Sequence, residues 1–338
     1  GAVPGPVSYG RGGELLTVTD ANLVLGYLNP AEIAGGSQKL DRDGALEAAN
    51  SQAAEPLGLS VLEASYGIYR LVNSNMSRAL RAASVERGRD PREYSMVAFG
   101  GAGPMHAAAL AQSFGIGKVI IPPMPGLLSA LGLLVAETRH DHVLPCPHPT
   151  AQEGWADANR RFDDLQKRAL AAILADGIAE SAVTCSRLLD LRYRGQTLTL
   201  TIPLEPRDGS LDDATFRGAV DRFETEYQTT FGHSLGQENV QLVGLRVRAS
   251  GTDGSAFENV LALAGRDGGG GVESRRQAYF GEQHGELDTP VLQRHDVPAE
   301  LVPGPMIVEG DDSTIVVPPT CRVRRDDVGN ILIDTSAE

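Results

Sequence analysis

The run Phe99-Gly100-Gly101-Ala102-Gly103-Pro104-Met105-His106 sets how the chain is read, because it packs three glycines between an apolar strand and a helix. Upstream, Tyr94 to Ala98 reads as a short strand; downstream, Ala107 to Phe114 is rich in Ala and Leu and reads as a helix. Glycine has no Cβ, so it tolerates positive φ and lets a ligand approach bare backbone. The new helix offers unpaired N–H groups and its positive dipole end, a setting that favours an anion or the polar edge of a nucleotide. The spacing is neither the G-x-G-x-x-G of dinucleotide folds nor a P-loop, since no Gly-Lys-Ser/Thr follows. Two readings stand side by side at this point: a nucleotide contact, and a tight strand-to-helix turn.

Around this junction, residues 1 to about 143 read as an α/β region. Thr19-Asp20-Ala21-Asn22 offers N-cap chemistry to a short apolar helix running toward Leu28, and Asp41 to about Ala54 is Ala-rich and helical. Ser60-Val61-Leu62-Glu63 is a capping box. It opens a long helix to about Arg87, with Ala64, Ile68, Leu71, Val72, Met76, Ala79, Leu80 and Ala83 at helical spacing and Gly88 as its stop. A second apolar strand, Lys118 to Pro122, precedes Pro123-Met124-Pro125-Gly126 and another helix, Leu127 to about Thr138. This alternation predicts a layered α/β domain with strands covered on both faces. Two strands make a poor sheet, so this half completes its sheet with something elsewhere in the chain or outside it.

Arg139 to Glu153 is rich in Pro and His and reads as a boundary. Trp155 to Asp176 follows as an amphipathic helix with Phe162, Leu165, Ala169, Ala172 and Ile173 on one side. Strands at Leu188 to Tyr193 and Thr197 to Ile202, a helix from about Ser210 through Phe223 and Tyr227, and a strand at Val240 to Ala249 complete an α+β domain over 150–251. Gly251 to about Ser274, with Gly268 to Gly271 in succession, reads as a linker. Short turn-punctuated segments, Gln277 to Phe280, Pro290 to His295, Met306 to Glu309, Ser313 to Val317, Cys321 to Arg324 and Asn330 to Asp334, predict a small β-rich module over 275–338.

Composition narrows the function classes. The 338 residues suffice for two or three domains, and a formal charge of −14 without any Lys/Arg block argues against nucleic acid as a partner. The apolar runs are interrupted well short of a membrane span, so no membrane partner is expected. Three well-separated cysteines, Cys146, Cys185 and Cys321, do not form a disulfide framework, which points to a reducing cytoplasm. The opening Gly1-Ala2-Val3-Pro4-Gly5-Pro6 has no signal-peptide pattern and reads as the interior of a longer design.

Taken in order, several blocks resemble the A-type subunit of the hydantoinase/oxoprolinase family, which includes subunits of ATP-dependent ketone carboxylases. The blocks are Pro4-Gly5-Pro6 with Tyr9-Gly10-Arg11-Gly12-Gly13; Thr17-Val18-Thr19-Asp20-Ala21-Asn22; Val85-Glu86-Arg87-Gly88; and the glycine turn with His106. Pro122-Pro123 and Pro125-Gly126 with Ser129-Ala130-Leu131-Gly132, then Asp190-Leu191-Arg192-Tyr193-Arg194-Gly195-Gln196, then Gly304-Pro305 with Ser313-Thr314, continue the series. The resemblance implies a partial actin-like, ribonuclease-H-like ATPase lobe over 1–143, with ATP and Mg²⁺ as cofactors. It also implies a B-type partner subunit and a small cyclic amide or ketone as substrate. In such enzymes ATP phosphorylates an amide oxygen or an enolate, which creates a leaving group and removes amide resonance. The sequence departs from the family in having no Asp-x-Gly-Gly-Thr or Gly-Gly-Thr-Ser phosphate turn, so an N-terminal lobe or a split subunit is expected to supply the phosphate side and the Mg²⁺ contacts. It also places Ser8 where many relatives have a cysteine before the Tyr-Gly pair.

Within this frame Gly100, Gly101, Ala102, Gly103 and Pro104 are the nucleotide-binding candidates. His106 is a cleft contact or a hydrogen-bonded helix histidine. Asp20 and Asn22 either bind a ligand or cap a helix and tie down a loop. Asn73 and Asn75, amides inside a helix, face the cleft, the core or solvent. His140, His142, Cys146 and His148 are zinc-ligand types in a Pro-interrupted segment without matching spacing, and no metal site is expected there. Arg192 and Arg194 alternate on a strand and suit an inter-domain or subunit contact, with anion binding behind it. No nucleophilic triad assembles, the catalytic residues stay unassigned, and Cys185 and Cys321 read as buried thiols.

Overall fold

The first helix, α1 (Val18–Val24), is fixed by a capping box in which the Thr17 hydroxyl accepts from the Asp20 amide and the Asp20 carboxylate accepts from the Thr17 amide. Thr17 is therefore the N-cap, and Asp20 is the third residue of the helix rather than its opener. The computed structural model describes residues 3–31, 39–146, 154–206, 209–252 and 274–336. Asp41 caps α2 (Arg42–Ala49), which runs through a π-helical stretch into α3 (Glu55–Leu57) and stops at Gly58 in the left-handed region. The Ser60–Glu63 capping box opens α4 (Val61–Ala83), followed by a 3-10 turn, Val85–Arg87, in place of the expected last turn. Of the expected apolar stripe on α4 only Ala64 is buried, together with Ser65 and Tyr69, and Leu71 is 63% exposed. The periodicity is present, but the later turns are covered only in part, with Val72, Met76 and Leu80 half-buried.

β1 (Met96–Val97) is shorter than its apolar run because a Pro91–Glu93 3-10 turn ends at Tyr94. α5 (Gly103–Phe114) starts earlier than expected, inside the glycine run, and ends at Gly115, φ 67°. β2 (Lys118–Ile121) and α6 (Leu128–Val135) follow. Val119 and Ile121 are fully buried whereas Ile120 is half-buried, so β2 packs mainly through one face instead of two.

The Pro/His-rich boundary turns out to hold a strand, β3 (Thr138–Pro145), whose side chains alternate between half-buried and exposed. It joins α7 (Trp155–Ala175), β4 (Val183–Tyr193), β5 (Leu200–Pro203), α8 (Asp213–Phe231) and β6 (Val240–Gly251). The strands form an antiparallel sheet in the order β3-β6-β4-β5. Phe162, Leu165, Ala169 and Ile173 of α7 and Phe223 and Tyr227 of α8 share one core with Leu189, Leu191, Leu245 and Val247 of the strands, as amphipathic spacing requires. The Gly268–Gly271 run of the expected linker lies outside the described residues.

The remaining strands are β7 (Ser274–Tyr279), β8 (Glu286–Gln293), β9 (Val302–Pro303), β10 (Met306–Glu309), β11 (Thr314–Val317), β12 (Arg322–Arg325) and β13 (Ile331–Asp334). They do not form a module of their own. β13 pairs antiparallel with β2, Ile331 opposite Ile121 and Ile333 opposite Val119, to give a sheet ordered β1-β2-β13-β12-β9. A second sheet, β11-β10-β8-β7, shares its core with the first and with Ala107, Ala108 and Ala111 of α5. Arg294 ties the junction, its Nη2 donating to the carbonyls of Ile121 and Gly329. The chain thus divides into one compact unit of Gly1–Val85, Arg89–Gly132 and Val260–Glu338, and another of Glu86–Gly88 and Leu133–Asn259. Among the described residues no helix is long and apolar enough to cross a membrane.

Ile333→Ala removes a fully buried side chain from the middle of the five-stranded sheet. It is expected to cost roughly 2–5 kcal/mol in urea unfolding, whereas exposed Val328→Ala stays within about 0.5 kcal/mol. Equal midpoints for the two variants would contradict the central place of β13.

Candidate functional site

β1 delivers the chain into Phe99 and Gly100, and Gly100 adopts φ 85°, which an L side chain rarely allows. Its amide donates to the Pro125 carbonyl at 2.7 Å, which sets the turn beside the Met124–Gly126 loop. Met124 is itself left-handed, φ 49°, and the Gly126 amide donates to the Asp312 carboxylate at 2.7 Å. A Cβ on Gly126 would come within 3.0 Å of Asp312, so that glycine is required by packing. Gly101 and Gly103 differ. Among the described residues a Cβ on Gly101 would touch only the Asp312 carbonyl at 3.6 Å, an ordinary contact, and one on Gly103 would meet nothing within 4 Å. Neither has positive φ, so neither its conformation nor its surroundings in the protein demand a glycine.

α5 begins at this turn. Ala102 at its N-cap makes no side-chain bond, and Pro104 lies in the first turn, where its missing N–H costs nothing. The dipole end and the first-turn amides are therefore not capped by a side chain. Gly101 and Ala102 are exposed, Gly100 and Gly103 half-buried, and Pro104 buried. The five sequence candidates are consecutive, and the exposed part of the turn is Gly101 and Ala102.

One turn along α5, His106 is 4% exposed and clamped by α4. Tyr69 stacks on its ring at 4.9 Å and donates from its hydroxyl to the Met105 carbonyl at 3.2 Å, while Asn73 Oδ1 lies 2.8 Å from His106 Nδ1. With that oxygen as acceptor, Nδ1 carries the proton. Burial pushes the His106 pKa down to about 4, so the imidazole is neutral at pH 7, and burial pushes the Tyr69 phenol up. Asn73 and Tyr69 also line a cavity of about 780 Å³ with Tyr66, Gln112, Phe280 and Thr320.

The other candidates lie apart from this pair. Asp20 is fully buried, and its oxygens accept from the amides of Val7, Ser8 and Thr17 and from the Thr17 hydroxyl, so it ties the opening loop to α1. Asn22 is buried with Oδ1 unpartnered, and Ser8 Oγ is likewise buried without a partner. Asn75 is exposed and accepts from Arg78 at 2.5 Å. His140 meets Asp176 at 2.6 Å, His148 lies outside the described residues, and among the described residues no three His, Cys, Asp or Glu side chains converge as a metal site. Cys185 is half-buried and Cys321 buried, which raises both thiol pKa values.

In the Arg192–Gln196 block, sequence reasoning singled out the arginines and missed the tyrosine. Tyr193 donates to Glu224 at 2.5 Å and accepts from the Leu235 amide, and Gln196 accepts from the Tyr227 hydroxyl, so the block anchors its own unit. Arg194 is exposed, and the half-buried Arg192 has a buried Nε without a partner. Sequence reasoning also missed Asp312 and Tyr69. The polar turn Gly310-Asp311-Asp312-Ser313 between two apolar strands was a readable signal for the first, and the second needed the α4–α5 contact.

Comparison with known proteins fits this architecture. The profile of Hydantoinase/oxoprolinase matches residues 1–142, and that of the Hydantoinase/oxoprolinase C-terminal domain matches residues 149–332. The caprolactamase subunit alpha of Pseudomonas jessenii is 33% identical over 96% of this chain and 47% of its own length. The acetophenone carboxylase gamma subunit of Aromatoleum aromaticum is 30% identical over 99% of this chain and 47% of its own. The crystal structure of the ATP-dependent caprolactamase from Pseudomonas jessenii superposes with a TM-score of 0.82 at 31% identity, covering 99% of this chain and 49% of that one. The nucleotide-free structure of acetone carboxylase gives 0.71 at 26% identity, covering 98% and 48%. The chain spans about half the length of these relatives.

The buried imidazole has a pH signature. Unfolded, it takes up its proton near pH 6.5; folded, near 4; so between these values the unfolded state binds more protons. Its contribution is present above pH 6.5 and lost as the pH falls through about 4, with a ceiling of roughly 3 kcal/mol. Urea unfolding from pH 7 to 4 is expected to show a steeper loss of stability in the native chain than in His106→Gln. Parallel profiles would mean that His106 is not buried as a neutral ring.

Proposed function

The chain belongs to the hydantoinase/oxoprolinase family, and we propose that it forms the adenosine side of an ATP site in a cyclic-amide hydrolase of that family. The observation that carries this reading is the open glycine turn, where Gly101 and Gly103 lack side chains for which the protein itself has room. A ligand approaching the backbone would account for that. The exposed backbone of Gly101 and Ala102 and the Gly103 amide would hold the polar edge of the nucleotide, with Gly100 shaping the turn and Asn73 and His106 fixing the helix behind it. We assign an actin-like lobe to the unit that carries the turn. Its β1–α5–β2 core and the ATP dependence stated for the caprolactamase and acetone carboxylase structures support that assignment.

The phosphate side belongs elsewhere in this scheme. The sequence has no Gly/Thr-rich phosphate turn, and the described residues offer no convergent ligand set, so Mg²⁺ does not fit this chain. The other half of the family polypeptide would supply that side, and a B-type subunit would complete the hydrolysis. The amide oxygen would attack the γ-phosphorus with ADP leaving. Water would add to the activated carbon, the C–N bond would break with the protonated nitrogen as leaving group, and the resulting acyl phosphate would lose phosphate to a second water. The free thiols support a reducing, cytoplasmic setting.

A second reading, a subunit of an acetone- or acetophenone-type carboxylase, is supported by the 30% relative. Higher identity and superposition with caprolactamase favour the hydrolase. A non-catalytic assembly module is the third.

Gly101→Val and Gly103→Val test the site directly, since a Cβ at either position meets no clash among the described residues. In the complete assembly each is expected to weaken Mg-ATP binding by calorimetry at least about tenfold, with little change in unfolding midpoint. Undiminished binding would end the assignment. Turnover of lactams or hydantoins, against ketones with bicarbonate, separates the two enzyme readings, and absence of ATP binding by the assembly would leave the inert module.

A further inference from the structure

The charges of α4 are one-sided. From Ala64 to Ala83 the helix carries Arg70, Arg78 and Arg81 and no acidic residue, in a chain whose formal charge is −14. Arg70, Ser74, Ser77 and Arg81 stand at i, i+4, i+7 and i+11 spacing, which returns all four to one face of the helix. That face lines the cavity of about 780 Å³ beside Tyr69 and Asn73, a volume within the range of small-molecule sites. Among the described residues neither Arg70 nor Arg81 has a carboxylate partner, whereas Arg246, Arg248, Arg275 and Arg276 each pair with one. Glu282 is the one acidic side chain among the described lining residues.

The walls are built in advance of any ligand. Gly281, φ 83°, lies so close to Tyr66 that a Cβ would come within 2.6 Å of the ring, which sets the Phe280–His284 turn against α4. Gln112 donates to the Thr320 hydroxyl at 2.8 Å and ties the end of α5 to the β11–β12 turn. Tyr66 stacks on Tyr69, and with Phe280 it gives the cavity a flat apolar wall. Burial raises the Tyr66 pKa and the Arg70 charge acts against it, which places that guanidinium near the phenol.

We propose that this cavity binds an organic dianion with a flat apolar middle, a dicarboxylate whose ends are held by Arg70 and Arg81 while its body lies on Tyr66 and Phe280. The two arginines are eleven residues apart on one helix, about 16 Å at their Cα atoms, which suits charge at both ends of a ligand better than one compact anion. Their guanidinium forks match carboxylate geometry, and the hydroxyls of Ser74 and Ser77 lie between them for further hydrogen bonds. The site is separate from the glycine turn. Gln112 stands at the end of α5 and the turn at its start, and the twelve residues of that helix span about 18 Å.

Calorimetric titration of naphthalene-2,6-dicarboxylate into the complete assembly tests the site. One dianion is expected to bind per chain, with Arg70→Gln and Arg81→Gln each weakening it at least about tenfold and Glu282→Gln tightening it. Both arginines are exposed, so the unfolding midpoints of their variants are expected to stay close to that of the native assembly. 2-Naphthoate, which keeps the flat body and loses one charge, is expected to bind at least about tenfold more weakly. Absence of binding at millimolar dicarboxylate overturns the proposal, whether the walls reject the ligand or another segment already fills the cavity. Unchanged affinity in both arginine variants overturns it by putting the dianion elsewhere, and equal binding of naphthoate and dicarboxylate overturns the two-ended grip. Saturating Mg-ATP is expected to leave the titration unchanged; competition between the two ligands overturns the proposal by placing the dianion in the nucleotide cleft.

Discussion

The antiparallel pairing of β2 with β13 is the constraint on which the glycine-bearing unit depends. Without it, β1 and β2 are a parallel pair of short strands, and α5 would keep only the β10 and β11 side of its apolar cover. With it, Val119, Ile121, Ile331 and Ile333 present one apolar surface, and Ala107, Ala108 and Ala111 bring α5 close to it. Small side chains on the helix permit that approach, and each fully buried isoleucine removes on the order of 1.5–3 kcal/mol of apolar surface from water. Arg294, spanning from Ile121 to Gly329, pins the same junction by its guanidinium, whose pKa burial lowers to about 10.

That pairing could not be read from the sequence, although its need could. Two apolar strands announce an unfinished sheet, but strand propensity is silent about which distant segment completes it, because register comes from tertiary packing. Local signals fared better. The Ser60–Glu63 box, the end of α5 at Phe114 and the amphipathic face of α7 are all decided within a few residues, and all appear in the structure, whereas α4 ends at Ala83 before the expected Gly88 stop. β3 was masked by composition: prolines and histidines suggested a boundary, yet eight consecutive residues pair with β6 and take the alternation of a half-covered strand. On α4 the periodicity was legible and its cover was not, since beyond Tyr69 Leu71 is exposed and Val72, Met76 and Leu80 are only half-buried.

The site divides along the same line. The glycine run declares itself by the absence of side chains, and no long-range knowledge is needed to see it. Which glycines serve conformation and which leave space is a property of the fold: Gly100 needs its positive φ and Gly126 needs room for Asp312, while Gly101 and Gly103 need neither. Asp20 shows the opposite case. The sequence left Asp20 as a ligand or as a cap that ties down a loop; in three dimensions its oxygens accept from the opening loop and from Thr17.

His106 explains how such a turn is kept in place. Burying an imidazole costs its protonated form, and the ring repays this only through a fixed neighbour, which Asn73 and the face of Tyr69 provide. Because His106 sits one turn after Gly103, holding the ring holds the start of α5, and with it the direction of the amides at the glycine turn. The polar atoms buried on this helix therefore act on geometry, fixing the direction of the backbone at the glycine turn through neutral contacts.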